Sequence, residues 1–167
     1  RLDLVLNDFV ASAIKNKKIE ILSDGSPFRP LIHVKDMAKA IDWSTSRVNV
    51  NKDQNLFINV GSDQWNYQIK DLAEKTSKKI SGCALSINKN ASPDKRSYKV
   101  DFSKYDNLAK DYRCTISLDE AIDGLVFGLK NCADLAKNFR ETDYMRLNCL
   151  NNLINMSVID NNLNLKI

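Results

Sequence analysis

With 167 residues, 43% of them hydrophobic and 28% charged, the chain has the balance of one packed domain, not of a disordered or membrane protein. No apolar run approaches the roughly 20 residues needed to cross a bilayer, and the net charge of +4 is scattered, with Lys17–Lys18 and Lys78–Lys79 the tightest pairs, which argues against a nucleic-acid partner. Cys83, Cys114, Cys132 and Cys149 stand far apart without a C-x-x-C pair and His33 is the one histidine, so no metal site is expected and reduced thiols in a cytoplasmic protein are the simplest reading.

The chain opens on Arg1, not Met, and enters a helical pattern at once, without the features of a secretory signal, so it is expected to begin inside a longer protein. Leu2, Val5, Leu6, Phe9, Val10, Ala13 and Ile14 recur at helical spacing and predict a helix, buried on one face, that ends near Asn16. Ile19 to Leu22 is short and β-branched, a predicted strand, and Ser23 to Pro27 is a turn cluster. Val34, Met37, Ala38 and Ile41 predict a helix from His33 to Ser46, followed by a polar loop from Asn49 to Gln54. Leu56 to Gly61 is almost continuously apolar, the pattern of a strand covered on both faces, and is expected to be the most buried strand of the chain. Ile69, Leu72, Ala73, Thr76 and Ile80 trace one face of a helix from Tyr67 to Ile80, with Gly82 as its stop. Ala84 to Ile87 reads as a strand, and Ser97 to Asp101 alternates with the period of another. Ser117 and Glu120 stand at capping-box spacing before the stripe Leu118, Ala121, Ile122, Leu125, Val126 and Leu129. Beyond Asn131 the pattern loosens into a helix near Tyr144 to Ile154 and an asparagine-rich tail expected to be poorly ordered.

Strands alternating with helices indicate an α/β chain, but three or four strands are too few for a doubly wound sheet with its own switch-point crevice. A dinucleotide site needs a glycine-rich turn, because only glycine lets the backbone approach the pyrophosphate at a helix start. Gly25, Gly61, Gly82, Gly124 and Gly128 contain no such triplet, and no tyrosine is followed by a lysine four residues on. No catalytic and no cofactor-binding residue is therefore assigned to this chain.

One segment is sharply marked. Ile19 to Ile41 reads strand, loop with Gly25, Arg29, the apolar pair Leu31-Ile32, then Val34-x-Asp36-x-Ala38-x-Ala40. It resembles the corresponding segment of the extended short-chain dehydrogenase/reductases, the NAD(P)-dependent sugar-nucleotide epimerases and dehydratases. Asn59-Val60-Gly61 is similar to that family's Asn-x-Gly strand end, and Pro93 to Asp101 resembles its Pro-Gly-Asp-x-x-x-Tyr-x-x-Asp stretch, with Ala91 near the place of the usual arginine. Arg1 to Asn7 resembles the Arg-x-Asp-x-x-x-Asn opening of a subgroup, which the Arg146 to Leu165 tail also fits.

The resemblance implies the carboxy-terminal portion of a Rossmann-type fold of mixed short strands and helices, lacking the dinucleotide-binding half. Residues 1–130 would form a substrate-binding portion and 131–167 a carboxy-terminal helix and tail. It implies binding of a nucleoside-diphosphate sugar: Arg29 on the diphosphate, Glu20 and Leu22 beside the base, Arg96 and Tyr98 on phosphate or ribose, and Asn7 on sugar or phosphate. A planar guanidinium suits the first of these roles, since it offers forked donors to phosphate oxygens. NAD or NADP, the hydride step and the proton-transfer pair would come from an amino-terminal Rossmann half, with homodimerisation through it, and the present chain alone is expected to be inactive. The competing expectation is a non-catalytic nucleotide-binding or assembly module derived from that family. For His33 a capping role is expected, for Asp36 an orienting one, and for Trp43 and Trp65 packing.

Overall fold

A computed structural model describes residues 1–47, 55–92, 96–132 and 138–166. The predicted loop from Asn49 to Gln54 and Pro93-Asp94-Lys95 of the arginine-bearing stretch lie outside these residues. The chain forms two compact units: Arg1–Ile19 with Thr76–Leu85 and Ile122–Ile167, and Glu20–Lys75 with Ser86–Ala121.

In the first unit, α1 (Val5–Asn16) carries the predicted stripe, with Leu6, Phe9, Val10, Ala11 and Ala13 buried, and Lys17 closes it in the left-handed conformation, φ 52°. A helix of this length is marginal in water by itself, so burial of that stripe is what stabilises it. Leu2, Ala11 and Phe139 form a core that Ile14, Leu129 and Met145 extend. Asp8, in the first turn of α1, meets Arg140 at 2.8 Å, and the same guanidinium donates to Ser12 Oγ at 3.1 Å. Burial pushes the Asp8 carboxyl up and Arg140 opposes that shift. Toward the carboxy terminus, α6 (Arg146–Asn155) lies where a helix was expected. The tail differs from expectation. Asp160 Oδ1 accepts the amides of Asn162 and Asn164 at 2.8 and 2.9 Å, and Ile159 bridges Leu165. A carboxylate that organises its own local backbone turns the polar tail into a tight loop, which a reading of low hydrophobicity alone did not anticipate.

β1 (Lys18–Ile21) and β4 (Ala84–Ile87) form a two-stranded sheet, both close to their predicted bounds. In the second unit, β2 (Phe28–Pro30) occupies what reads in sequence as loop. It pairs antiparallel with β3 (Asn66–Gln68), in the register Phe28↔Gln68, Arg29↔Tyr67 and Pro30↔Asn66. β3 replaces the expected first turn of the next helix, so α3 runs Ile69–Lys79. Gly25 is required twice over. Its φ is 73°, and a Cβ there would sit 2.8 Å from Lys70 Cβ, whose amide donates to the Gly25 carbonyl at 3.0 Å. α2 (Val34–Ser46) opens with His33 Nδ1 accepting the Lys35 amide at 3.2 Å, the capping role expected of it. α5 (Leu118–Lys130) opens with the predicted reciprocal cap: Ser117 donates its amide to Glu120 at 2.8 Å and its Oγ accepts the Glu120 amide at 3.2 Å.

The core of this unit is Ala40, Trp43, Tyr105 and Ala109, packed by Leu56, Ile58, Val60, Tyr112 and Cys114. Tyr105, from α4 (Ser103–Leu108), meets Trp43 edge-on at 5.5 Å and donates its hydroxyl to the Tyr112 carbonyl at 2.7 Å. Trp65 is also buried, its indole N–H on the Ile116 carbonyl at 3.1 Å. Both tryptophans are packing residues, as expected.

Two predicted strands are corrected. Residues 56–60 are extended but belong to no ladder among the described residues, and the side chain of Phe57 is 84% exposed. Leu56, Ile58 and Val60 do pack inward. The run is apolar on both faces, but only one face is covered. Ser97 to Asp101 is likewise not a strand. It is held mainly by side chains: Ser97 Oγ accepts the Phe28 amide at 3.0 Å, and Asn66 grips Val100 by both amide and carbonyl at 2.9 Å each, beside one main-chain bond from the Tyr98 amide to the Phe28 carbonyl at 3.4 Å. An alternating pattern shows which faces differ, not whether a neighbour supplies main-chain bonds.

Candidate functional site

The loop before β2 is self-contained. Asp24 Oδ1 accepts the Ser26 amide at 3.0 Å and the Ser26 hydroxyl at 2.9 Å, while Gln68 Nε2 donates to the Ser26 carbonyl at 3.0 Å. These bonds fix the path of the chain into Arg29, the middle residue of β2. Arg29 Nη1 donates to the Phe28 carbonyl at 2.8 Å and to the Arg96 carbonyl, and its guanidinium carbon lies 5.8 Å from the centre of the Tyr98 ring. Hydrogen bonds to carbonyls orient the guanidinium, and an aromatic face adds to that hold. Arg29, Arg96 and Tyr98, widely separated in sequence, therefore meet at one place.

Sequence reasoning missed the cations and rings around them. Tyr67 is the cross-strand partner of Arg29, and Lys75 Nζ lies 5.0 Å from the Tyr67 ring centre. Lys99 Nζ lies 4.0 Å from that of Phe28. The register of β2 on β3 brings the first pair together, and nothing in the sequence reveals that register, because Phe28-Arg29-Pro30 carries no strand signature.

Glu20 and Leu22 flank the buried Ile21, both exposed, Leu22 to 84%. Glu20 lies in β1 and Leu22 in the bend just past its end. Asn7 stands in the first unit, where its Nδ2 donates to the Arg1 carbonyl at 2.7 Å, and Arg1 in turn forks onto Asp3 at 3.0 Å through both Nε and Nη2. The Arg1 guanidinium holds the Asp3 carboxyl below its ordinary range.

Asp36 does structural work. It is 1% exposed, and its two oxygens accept the amides of Thr115 and Ile116 at 3.1 Å each, with Lys39 Nζ at 3.2 Å. A buried carboxylate is tolerated only when paired in this way. It orients the residues just before α5, in keeping with the orienting role expected of it, although the loop it holds lies nearly eighty residues away. Cys114, beside it, is pushed up to about 11 by burial, with the Asp36 charge adding to the shift, so at neutral pH it is a thiol and not a nucleophile. A cavity of about 340 Å³ between the 61–64 turn and α4 is lined by Asp63, Gln64, Phe102, Asp106, Arg113 and Cys114 among others. Arg113 is committed there, its Nε 3.0 Å from Asp106 Oδ1. Among the described residues no three His, Cys, Asp or Glu side chains are grouped to hold a metal ion, and no helix is long and apolar enough to cross a membrane.

Residues 2–61 match the profile of the NAD dependent epimerase/dehydratase family. No curated protein sequence matches the chain. Among solved structures it is similar to TunA, described as an NAD dependent NDP-hexosamine 5,6-dehydratase involved in tunicamycin biosynthesis, with a TM-score of 0.61 at 15% identity over 81% of this chain. The chain spans 42% of the length of that structure. At such identity the likeness concerns the fold, which is the mixed α/β arrangement of short strands and helices expected from the sequence. The profile match takes in Arg29, the Val34-x-Asp36-x-Ala38-x-Ala40 helix start and Asn59-Val60-Gly61, so over residues 2–61 the chain is similar to the NAD dependent epimerase/dehydratase family, and the solved structure shares its fold.

Proposed function

We propose that this chain is the carboxy-terminal, substrate-binding portion of an NAD(P)-dependent sugar-nucleotide epimerase or dehydratase. Residues 1–130 bind the nucleoside-diphosphate sugar and 131–167 add a helix and tail. The dinucleotide, hydride transfer and proton transfer belong to an amino-terminal Rossmann half, through which the cytoplasmic enzyme dimerises. The observation that carries the reading is Arg29, held in β2 by the Phe28 and Arg96 carbonyls and beside the Tyr98 ring. A guanidinium fixed in orientation before the ligand arrives loses little freedom on meeting a diphosphate, and its forked donors match phosphate oxygens. Arg96 adds a second cation and Tyr98 a ring for the ribose or base. Glu20 and Leu22 offer an exposed backbone and apolar surface to the base, and Asn7 an amide to sugar or phosphate. The role of such a portion is positioning: it sets the sugar carbon against the nicotinamide and contributes by proximity, not by proton transfer.

The test is Arg29→Ala in the enzyme joined to its nucleotide-binding portion, titrated calorimetrically with NAD and with UDP-, dTDP-, GDP- and CDP-glucose. Loss of a charge-assisted fork weakens binding of the preferred sugar nucleotide by about 2 kcal/mol while NAD affinity holds. Arg29→Lys keeps the charge and loses the fork, so it should restore only part of the affinity. Unchanged sugar-nucleotide binding in Arg29→Ala would remove the assignment.

A further inference from the structure

Composition marks the residues past Asn131 as a tail, but residues 138–148 are tied to the opposite end of the chain. They share a unit with α1, and their contacts converge on its entry and first turns. The Leu2 amide donates to the Tyr144 carbonyl at 2.9 Å. Phe139, 1% exposed, packs with Leu2 and Ala11. Arg140 forks onto the helix: Nη1 lies 2.8 Å from Asp8 Oδ1, and Nη2 donates to Asp8 Oδ2 and to Ser12 Oγ at 3.1 Å each. An isolated surface ion pair contributes little, but a bidentate one on a carboxylate 21% exposed, with a third partner, fixes direction as well as distance. Arg140 is itself held. Asn138 Oδ1 accepts its amide at 3.3 Å, and Asn148 Nδ2 donates to its carbonyl at 2.6 Å.

Asn7 stands next to Asp8 on α1, and both routes lead to it. Its Nδ2 donates to the Arg1 carbonyl at 2.7 Å. That carbonyl and the Leu2 amide belong to one planar peptide unit, so the Tyr144 carbonyl on one side of the plane and the Asn7 amide on the other are joined through a rigid group. Hydrogen bonds in such a chain polarise one another. Among the described residues the bond to Arg1 is the one hydrogen bond of the Asn7 side chain, and an amide has further donor and acceptor capacity for a ligand.

We propose that residues 138–148 are a clasp that positions Asn7: they hold the first peptide of the chain and the first turns of α1, so that the Asn7 amide is oriented before a sugar nucleotide arrives. The inference rests on the reading in which Asn7 contacts sugar or phosphate. Orientation set in advance lowers the ordering cost of binding. Arg140 is on this account a positioning residue, acting through Asn7, and the segment is a working part of the binding portion rather than an appendage to it.

A double-mutant cycle tests this in the enzyme joined to its nucleotide-binding portion, read by calorimetry with NAD and with whichever of UDP-, dTDP-, GDP- and CDP-glucose binds tightest. Asn7→Ala should weaken sugar-nucleotide binding about fivefold, the loss of one oriented hydrogen bond. Arg140→Ala should give a loss of similar size, and the two together hardly more than either alone. NAD affinity should hold in all three. Combined with Arg29→Ala, in the other unit, the Arg140→Ala loss should instead multiply. Arg140→Lys, which keeps the charge and loses the fork, should recover part of the affinity. If Arg140→Ala does not fold, Asp8→Asn breaks the same pair from the helix side, at almost unchanged volume, and should show the same coupling to Asn7. Losses at Arg140 and Asn7 that multiply in full overturn the clasp, because a segment that only stabilises its unit has no special link to Asn7. Arg29→Ala decides the functional reading separately. A loss there with Asn7→Ala unaffected leaves the reading standing and overturns the clasp; unchanged binding in both variants overturns the two together.

Discussion

Two short extended stretches of the second unit exchange the roles that their compositions suggest. Phe28-Arg29-Pro30, with a proline and a charge, is a paired strand, whereas the apolar, β-branched Leu56 to Val60 is paired with nothing among the described residues. The difference lies in what stands beside them. β2 is secured by Tyr67 and its neighbours and by the loop that Gly25 lays against α3, and residues 56–60 are secured by side-chain packing on the Ala40–Trp43–Tyr105–Ala109 core and by the Lys104 ammonium on the Phe57 carbonyl. Main-chain pairing therefore supports Arg29, and apolar packing supports residues 56–60.

The largest effect expected on the folded chain is at Asp36, whose contacts hold the residues before α5 against α2. Asp36→Ala removes a buried carboxylate and leaves two part-buried amides without their acceptors, and should destabilise the chain by about 3 kcal/mol, read as a lowered midpoint in urea. A midpoint within experimental error of wild type would show that the 115–116 contacts are not needed. Next is Gly61, just past residues 56–60: a Cβ there would lie 2.5 Å from the buried Phe102 ring, so Gly61→Ala should cost about 1–3 kcal/mol, a fall in melting temperature of several degrees. If Gly61→Ala melts like wild type, Phe102 is free to move and the turn does not fix residues 56–60.

Alkaline pH probes the packing on which residues 56–60 sit. Burial raises the Tyr105 phenol to about 12 and the Cys114 thiol to about 11, both above their unfolded values. The folded state therefore holds these protons more tightly, so the stabilisation is complete below the unfolded values, near 9 for the thiol and 10 for the phenol, and is lost as pH climbs toward 11 and 12. Stability should fall from about pH 9 upward, and Cys114 should resist alkylation at neutral pH. Rapid modification of folded protein at pH 7 would contradict that burial. The smallest effect is at Phe57, where Phe57→Ser should change the melting temperature of the 167-residue chain by less than a degree or two, because an exposed ring contributes little.

How much of this is legible in the sequence follows the same division. The stripe of α1, the His33 start of α2, the Ser117–Glu120 cap and the Ala84–Ile87 strand are local patterns, and each stands where the pattern predicts. Arg29, Arg96 and Tyr98 are each marked by the resemblance, but their meeting is not: it depends on contacts nearly seventy residues apart, and no periodicity carries that information. The tail was misread for a related reason. Asp160 organises Asn162 and Asn164 by hydrogen bonds that hydrophobicity does not register.

The grip of Asn66 on Val100 bears on how the proposed binding surface diversifies. Because that side chain reads only the backbone of its partner, the path of the chain at Val100 is set independently of the side chain there, while Ser97 adds a side-chain contact of its own. Arg96 and Tyr98 can be exchanged for other residues without rerouting the chain, so the surface is open to drift toward a new ligand at the very positions where the scaffold is indifferent to what it displays.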